Sequence, residues 1–292
     1  MATVQIYTSG SAAALLEQTW RPTLARQANE EERIVDTFDD GNEGVEKFGG
    51  ILNVRKILRI PATKVAYNVA DVSTSATYTA NTEQNITVYP TMAYGAVEIT
   101  QATLNRLLAA PQLQEAYKKQ MMAGIVAQKD ADGGALATSL STSVKGGSSQ
   151  TIDKPFLLDG IGTLIEYARE LFEPGKEGWA YFHYHPRQYK YVHAIPEIVN
   201  AYIRGDGEKV VRKGWTWDAY GLSLTESGNV YTSGGTAHNL LHIKQSHIIA
   251  YNQRETFLKP QEYQFVTRFH AFSEYGVGEV WDEYAVDMQT SA

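Results

Sequence analysis

The order of hydrophobic patterns along the chain predicts an α+β fold. A helical stretch opens it, a run of β-branched and aromatic segments follows, then a long helix, then a mixed region that ends in strands. Strands and helices are grouped and do not alternate as regular βαβ units. Composition agrees: 43% hydrophobic and 20% charged residues over 292 positions is the profile of a globular protein with material for a sizeable core. A third observation is a long β excursion between residues 51 and 100. Its middle, "STSATYTANTEQ", has little to bury.

Residues 11–28, "SAAALLEQTWRPTLARQA", favour helix with a break near Pro22. The next stretch, "NEEERIVDTFDDGNEGVEKFGG", is polar and acidic and reads as a solvated or partner-dependent segment, not a core piece. From Ile51 to about Thr100, "ILNVRKILRI", "KVAYNVADV", "SATYTANTEQNITVYP" and "MAYGAVEIT" read as long antiparallel strands punctuated by Pro61, Pro90 and Gly95. A two-stranded ribbon without an apolar face is barely stable alone in water, so this one points to a neighbouring subunit.

Residues 101–140 read as helical. Leu113, Tyr117, Met121 and Ile125 recur at four-residue spacing, with Ala116, Ala123 and Ala127 nearby, and form one apolar stripe. Lys118, Lys119 and Lys129 are expected largely off it, and Pro111 suits the first turn. "STSVKGGSSQT", 141–151, has the composition of a flexible loop. Residues 159–172, "DGIGTLIEYARELF", predict an amphipathic helix ended by "EPGKEG". "WAYFHY" reads as a strand, "HPRQYKYVHAI" as a turn into a helix, and "PEIVNAYIRG" as a helix closed by Gly205. "GLSLTESGNV", "NLLHIK", "SHIIAYN", "YQFVTRFHAFSEYGV" and "EVWDEYAVDMQ" read as strands joined by turns, and no internal repeat is found.

The net charge of -7 argues against tight non-specific wrapping of DNA, which needs clustered Lys and Arg. There are no cysteines, hence no disulfide framework and no thiol chemistry. The start lacks a basic region followed by a long apolar one, so no secretory signal is expected, and no run of about 18 apolar residues predicts a membrane span. The Asn85-Ile86-Thr87 sequon is therefore expected to be idle in a cytoplasmic setting.

"FHYHPRQYKYV" is the stretch most suggestive of chemistry. In an extended chain His183 and His185 share a face and could begin a metal site. The other histidines, 193, 238, 242, 247 and 270, supply no HExxH pattern, and "HNLLH" lies in a β-like stretch without an acid between its histidines. The preferred reading is a strand end. "KDADGGALA" resembles the start of a calcium loop but lacks its third acid and its closing Glu, so it reads as a polar helix section with a glycine break. "RGDG" at 204–207 reads as a turn. Asp39-Asp40 and Glu30-Glu31-Glu32 read as a solvated acidic face. Lys209, Arg212 and Lys213 beside Trp215 and Trp217 form a small basic cluster, read as a solvated turn with aromatic anchors. No GxSxG, Walker A or GxGxxG pattern appears. No catalytic residue, cofactor or metal is assigned.

A helical arm and a ribbon that cannot bury themselves suggest a subunit that completes its core by assembly. In this order the segments resemble the tailed-bacteriophage major capsid proteins with the HK97-type fold. "ILNVRKILRIPATKVAYNVADVSTSATYTANTEQNITVYPTMAYGAVEIT" is similar to that family's extended loop. "ITQATLNRLLAAPQLQEAYKKQMMAGIVAQKDADGGAL" resembles its passage from strand to spine helix, with Asp130 or Asp132 matching an acidic residue near the helix end. "GWAYFHYHPRQYKYV" resembles a strand that ends in proline and enters an axial-domain helix, and "AYGLSLTESGNV" a stretch before the late strands. Tyr275-Gly276-Val277 and "YAVDM" match the return to the peripheral domain.

The resemblance implies an N-terminal arm at 1–35, an extended loop at 36–98, a peripheral domain at 99–158 and 262–292 with a long spine helix, and an axial domain at 159–261. It implies a structural protein, not an enzyme, whose homo-oligomeric hexamers and pentamers tile an icosahedral phage head around double-stranded DNA bound without sequence specificity. Scaffolding, portal and cement proteins are the expected partners, with no membrane. The expected location is the virion capsid, after assembly in the host cytoplasm. Trp20, Phe48, Tyr67 and Tyr78 are expected to make intersubunit contacts. Lys47, Lys56 and Lys64 lie in or near the loop, but no Asn and Glu partners for covalent cross-linking are matched. The alternatives are an encapsulin-like nanocompartment shell and a histidine-metal enzyme built on His183 and His185.

Overall fold

The computed structural model describes residues 32–41, 51–57, 83–100, 111–168, 179–196, 216–219, 221–257, 261–263 and 266–292. Two sheets and a ribbon organise them. In the first sheet β13 (Val266–Glu279) is central. It pairs antiparallel with β11 (His247–Phe257), β12 (Gln261–Tyr263) and β4 (Thr91–Thr100), and β1 (Asp39–Asp40) adds in parallel to β11. The alternation read in "VTRFHAFSEY" is realised: Thr267, Phe269, Ala271, Ser273 and Tyr275 are buried, and the residues between them are half-buried. Helix α1 (Pro111–Ala135) lies on this face. Met121 and Ile125 of the expected stripe pack with Ile99, Phe269 and Ala271.

The second sheet runs β5 (Val144–Gly146), β14 (Ala285–Ser291), β10 (Thr236–His242), β6 (Ala180–Tyr184), β8 (Leu222–Glu226) and β7 (Thr216–Ala219), with β9 (Thr232–Ser233) also on β10. Gly234 and Gly235 join β9 to β10 with φ of 58° and 82°. Positive φ at both positions of a two-residue hairpin is what glycine supplies without strain. Helix α2 (Lys154–Tyr167) buries Leu157, Ile161 and Leu164 against Phe182, Leu224, Leu241, Val286 and Met288. A short helix α3 (Tyr189–Val192) follows a 3-10 turn at Pro186–Gln188.

The ribbon is β2 (Leu52–Ile57) with β3 (Glu83–Val88), registered from Leu52↔Val88 to Ile57↔Glu83. Its base is built into the core. Leu52 and Val88 pack with Ile248, Ala250 and Val280. A Cβ on Gly278 would lie 2.5 Å from Val88 Cγ2, so the glycine makes room for the ribbon.

Several expectations are corrected. Helix α2 starts at Lys154 and not at 159, because Asp153 caps it by accepting the Phe156 amide at 2.9 Å and Pro155 fits its first turn. The expected loop 141–151 contains β5, which pairs in parallel with β14. "EVWDEYAVDMQ" is not one strand: a 3-10 turn at Asp282–Tyr284 separates β13 from β14. Lys129 does not fall off the α1 stripe; it lies one turn beyond Ile125 and is fully buried. The acidic segment after residue 29 does contribute to the core, since Ile34, Val35 and Phe38 are buried against Leu140, Leu240 and Ile249.

Candidate functional site: the seat of residues 32–41

Segment 32–41 is held from two sides. On the first stands Asp130 of α1, fully buried. One carboxylate oxygen accepts three successive amides, Arg33 at 3.1 Å, Ile34 at 2.6 Å and Val35 at 3.1 Å. The other accepts Ser227 Oγ at 3.3 Å and Asn229 Nδ2 at 3.2 Å. A buried carboxylate needs such donors in place of water. Gly133 and Gly134 let the segment come close: a Cβ on Gly133 would sit 2.6 Å from Val35 Cγ2, and one on Gly134 2.6 Å from the Asn229 carbonyl. "KDADGG" is therefore neither a calcium loop nor a break, because α1 runs through it to Ala135. Lys129 pairs with Glu32 and donates to Tyr251 Oη at 3.3 Å, while the Arg33 guanidinium donates to the Glu226 carbonyl at 2.7 Å.

On the second side are histidines. Thr37 Oγ1 lies 2.9 Å from His183 Nε2, 3.0 Å from His242 Nε2 and 2.5 Å from the Ile34 carbonyl it donates to. Phe38 stacks on His247 at 4.9 Å between ring centroids and meets His242 edge-on. His183 and His242 stack at 5.4 Å. Burial, reinforced by the neighbouring imidazoles, lowers His183 and His242 to a pKa of about 3 and His247 well below its usual value. All three are neutral at physiological pH. Beyond them the Gly41 amide donates to the Ile249 carbonyl at 2.7 Å, just past the end of β1.

The structure thus brings His183 together with Thr37 and His242, and not with His185. His185 caps the following turn, its Nδ1 accepting the Arg187 amide at 3.3 Å. The "HPRQ" corner is structural: Gln188 accepts the Ile152 amide at 3.1 Å and donates to the Ser291 carbonyl at 2.7 Å. Among the described residues no group of three His, Asp or Glu is arranged to hold a metal ion, and no helix is long and apolar enough to cross a membrane.

Of the two acids near the end of α1, Asp130 makes the seat, and Asp132 accepts Tyr275 Oη at 2.6 Å. Burial, reinforced by that bond, pushes the Tyr275 phenol up. Trp20, Phe48, Tyr67 and Tyr78 lie outside the described residues, as do Lys47, Lys64, the 204–207 turn and the basic cluster 209–215. Thr37, Asn229 and Ser227 were missed in the sequence. They carry no spacing pattern, and Asp130, between Lys129 and Ala131 in "KDADGG", was read only as one of two acids near the helix end.

No family model and no curated protein sequence matches the chain. Solved structures do. A structure from Mycobacterium phage Che8 aligns with a TM-score of 0.67 at 12% identity, over 93% of this chain and 95% of that one. The capsid of Ralstonia phage GP4 aligns at 0.64 and 12% identity, over 93% and 96%. The capsid asymmetric unit of cyanophage Pam1 aligns at 0.64 and 13% identity, over 100% and 99%. The chain has the fold of these phage structures, as the HK97-type α+β reading expects.

Proposed function

We propose that this chain, which has the fold of phage capsid subunits, is a major capsid protein whose hexamers and pentamers close into an icosahedral head around the phage genome. The observation that carries the reading is the end-to-end alignment with solved phage structures, two of them capsids, over 93% or more of both chains for the three compared. The role is structural and not enzymatic. The division into arm (1–35), extended loop (36–98), peripheral domain (99–158 and 262–292) and axial domain (159–261) belongs to this proposal. So do contacts through Trp20, Phe48, Tyr67 and Tyr78, partnership with scaffolding, portal and cement proteins, and assembly in the host cytoplasm before residence in the virion.

Two features support it. Tyr89, Met92 and Tyr94 are 67%, 59% and 56% exposed at and beyond the ribbon base, a costly arrangement for a lone chain and a useful one for a shell subunit. The net charge of -7 suits a wall that faces packaged DNA without sticking to it.

Negative-stain electron microscopy beside size exclusion tests the proposal. Closed shells, or rings of five and six, are the expected result. A chain that stays monomeric even when co-expressed with the neighbouring head proteins of its source would overturn it. DNA inside the purified particles separates a phage head from an encapsulin-like shell filled with cargo protein.

A further inference from the structure

Three buried imidazoles hold one short piece of backbone, and that arrangement reaches beyond the assembly reading and does not depend on it. The Thr37 hydroxyl has one proton and two lone pairs, and three groups take them up: the Ile34 carbonyl, His183 Nε2 and His242 Nε2. Phe38 fills the space between His242 and His247. The nitrogens left over have poor options. Among the described residues His183 Nδ1 and His247 Nε2 find no hydrogen-bond partner. A proton added to either ring there would create a buried N–H with nothing to donate to.

The rings also face one another. His183–His242 and His242–His247 centroids are 5.4 and 5.5 Å apart, so one charge opposes the next. Compensation nearby is small: the Ile243 carbonyl, 3.1 Å from His242 Nδ1, favours a proton on that ring, but burial outweighs it. Asp282, on the turn before β14, favours the charged form of His247, but four bonds from Ser141 and Thr142 already occupy it. Tyr181 stacks on His242 and brings no carboxylate to it, and Asp36 and Asp39 on the segment itself are exposed. Asp130 binds the segment from the α1 side, through the amides of residues 33–35.

We propose that residues 34–38 form a latch that acid opens: when Thr37 and Phe38 leave their seat, His183, His242 and His247 meet water and take up protons that the closed seat excludes. The cause is the difference between the two states. Closed, burial keeps all three rings neutral; open, each titrates in the ordinary histidine range. Between those ranges the open state binds more protons, so the opening constant rises as pH falls. The rise is about tenfold per pH unit for each proton gained.

Hydrogen exchange on the full chain between pH 7.5 and 4.5, corrected for intrinsic rates, reads this directly. The Ile34 and Val35 amides report the Asp130 side and Gly41 the β1 side, while the β10–β14 ladder, from Thr236↔Ser291 to His242↔Ala285, is the internal reference. Protection of the three reporters should be flat above pH 6.5 and fall at least about tenfold per unit below it, with the ladder still protected. The His183→Gln/His247→Asn variant keeps the partnered nitrogens of both rings and removes their titration, and its slope should be shallower. An identical slope in the variant would show that these rings do not carry the effect and would overturn the proposal. So would unchanged protection, or loss of the reporters and the ladder in one step. If the variant does not fold, ring NMR of the unaltered chain decides. Protonation of the three imidazoles must follow the loss of Ile34 protection; titration without it, or loss without titration, refutes the latch.

Discussion

Asp130 accepts the Ile34 amide at 2.6 Å across 96 positions of sequence. The same carboxylate oxygen serves Arg33 and Val35, so one α1 side chain organises the backbone of a segment with little regular structure of its own. Asp130→Ala leaves three amides, a hydroxyl and an amide side chain without their acceptor. Removing one partner from a buried set costs the desolvation of those left behind, on the order of 3 kcal/mol here. Asp130→Asn keeps one oxygen but turns an N–H₂ toward Ser227 and Asn229, and should lose about 2 kcal/mol. Urea denaturation of both variants checks this. A loss below about 0.5 kcal/mol for the alanine variant would mean that water replaces the carboxylate.

The α1 glycines divide by what lies over them. A Cβ at Gly124 meets nothing within 4 Å, whereas at Gly134 it would sit 2.6 Å from the Asn229 carbonyl. Gly124→Ala should therefore stabilise, by roughly 0.5–1 kcal/mol, through helix propensity alone. Gly134→Ala should destabilise by about 1–3 kcal/mol, because backbone has to move. Thermal unfolding of the pair is the measurement. Equal shifts of the same sign would show that the segment adapts freely to α1.

Much of the scaffold was legible because its signals are local. The four-residue spacing of Met121 and Ile125 gives α1 its buried face, and strict alternation gives β13. The seat of residues 32–41 was not legible, for the opposite reason. Ile34, Val35 and Phe38 stand among acids in no period, and what makes them core is Asp130, Ser227 and the histidines of β6 and β10, all far along the chain. Lys129 misled in the same way. Its charge reads as solvent-facing, but Glu32 and the Tyr251 ring, 4.8 Å from Nζ, let it be buried. Asp153 shows that a cap can be missed even locally, because Pro155 just after it suits a loop as well as a first helical turn.

Asp287 should respond to pH with the sign opposite to that of an ordinary paired carboxylate. One oxygen takes His238 Nδ1 at 2.8 Å and Gln289 Nε2 at 2.9 Å, and the other finds no partner among the described residues. Burial is the main cause and raises its pKa. A raised folded value means the folded state holds this proton more tightly than the unfolded chain. The carboxylate therefore costs stability above its raised pKa, and the cost fades as pH falls through it. Asp287→Asn keeps an oxygen for both donors and removes the charge. It should match or exceed the unaltered chain by about 1 kcal/mol at pH 7.5, with the difference shrinking by pH 4. Urea midpoints at the two pH values decide; a variant clearly weaker at pH 7.5 would show that the carboxylate's bonds to His238 and Gln289 outweigh its desolvation.

The outer face of β4 gives the sharpest test of assembly. Met92 and Tyr94 point away from α1 and are exposed, whereas Ile99 on the same strand is buried with Met121. Their cross-strand partners on β13 are Glu274 and Phe272, which carry a half-buried aromatic onto the same outer surface. If the chain is a shell subunit, this face meets a second copy, and a charge placed there harms association without harming the fold. Met92→Lys, opposite Glu274 on β13, should leave the thermal midpoint almost unchanged, since exposed substitutions usually shift stability by less than about 0.5 kcal/mol. It should cut the yield of closed shells or capsomers at least about tenfold, because taking a charge out of water at an interface costs several kcal/mol. Normal assembly of the variant, judged by size exclusion and electron microscopy, would show that this face stays in solvent and that the contacts lie elsewhere on the subunit.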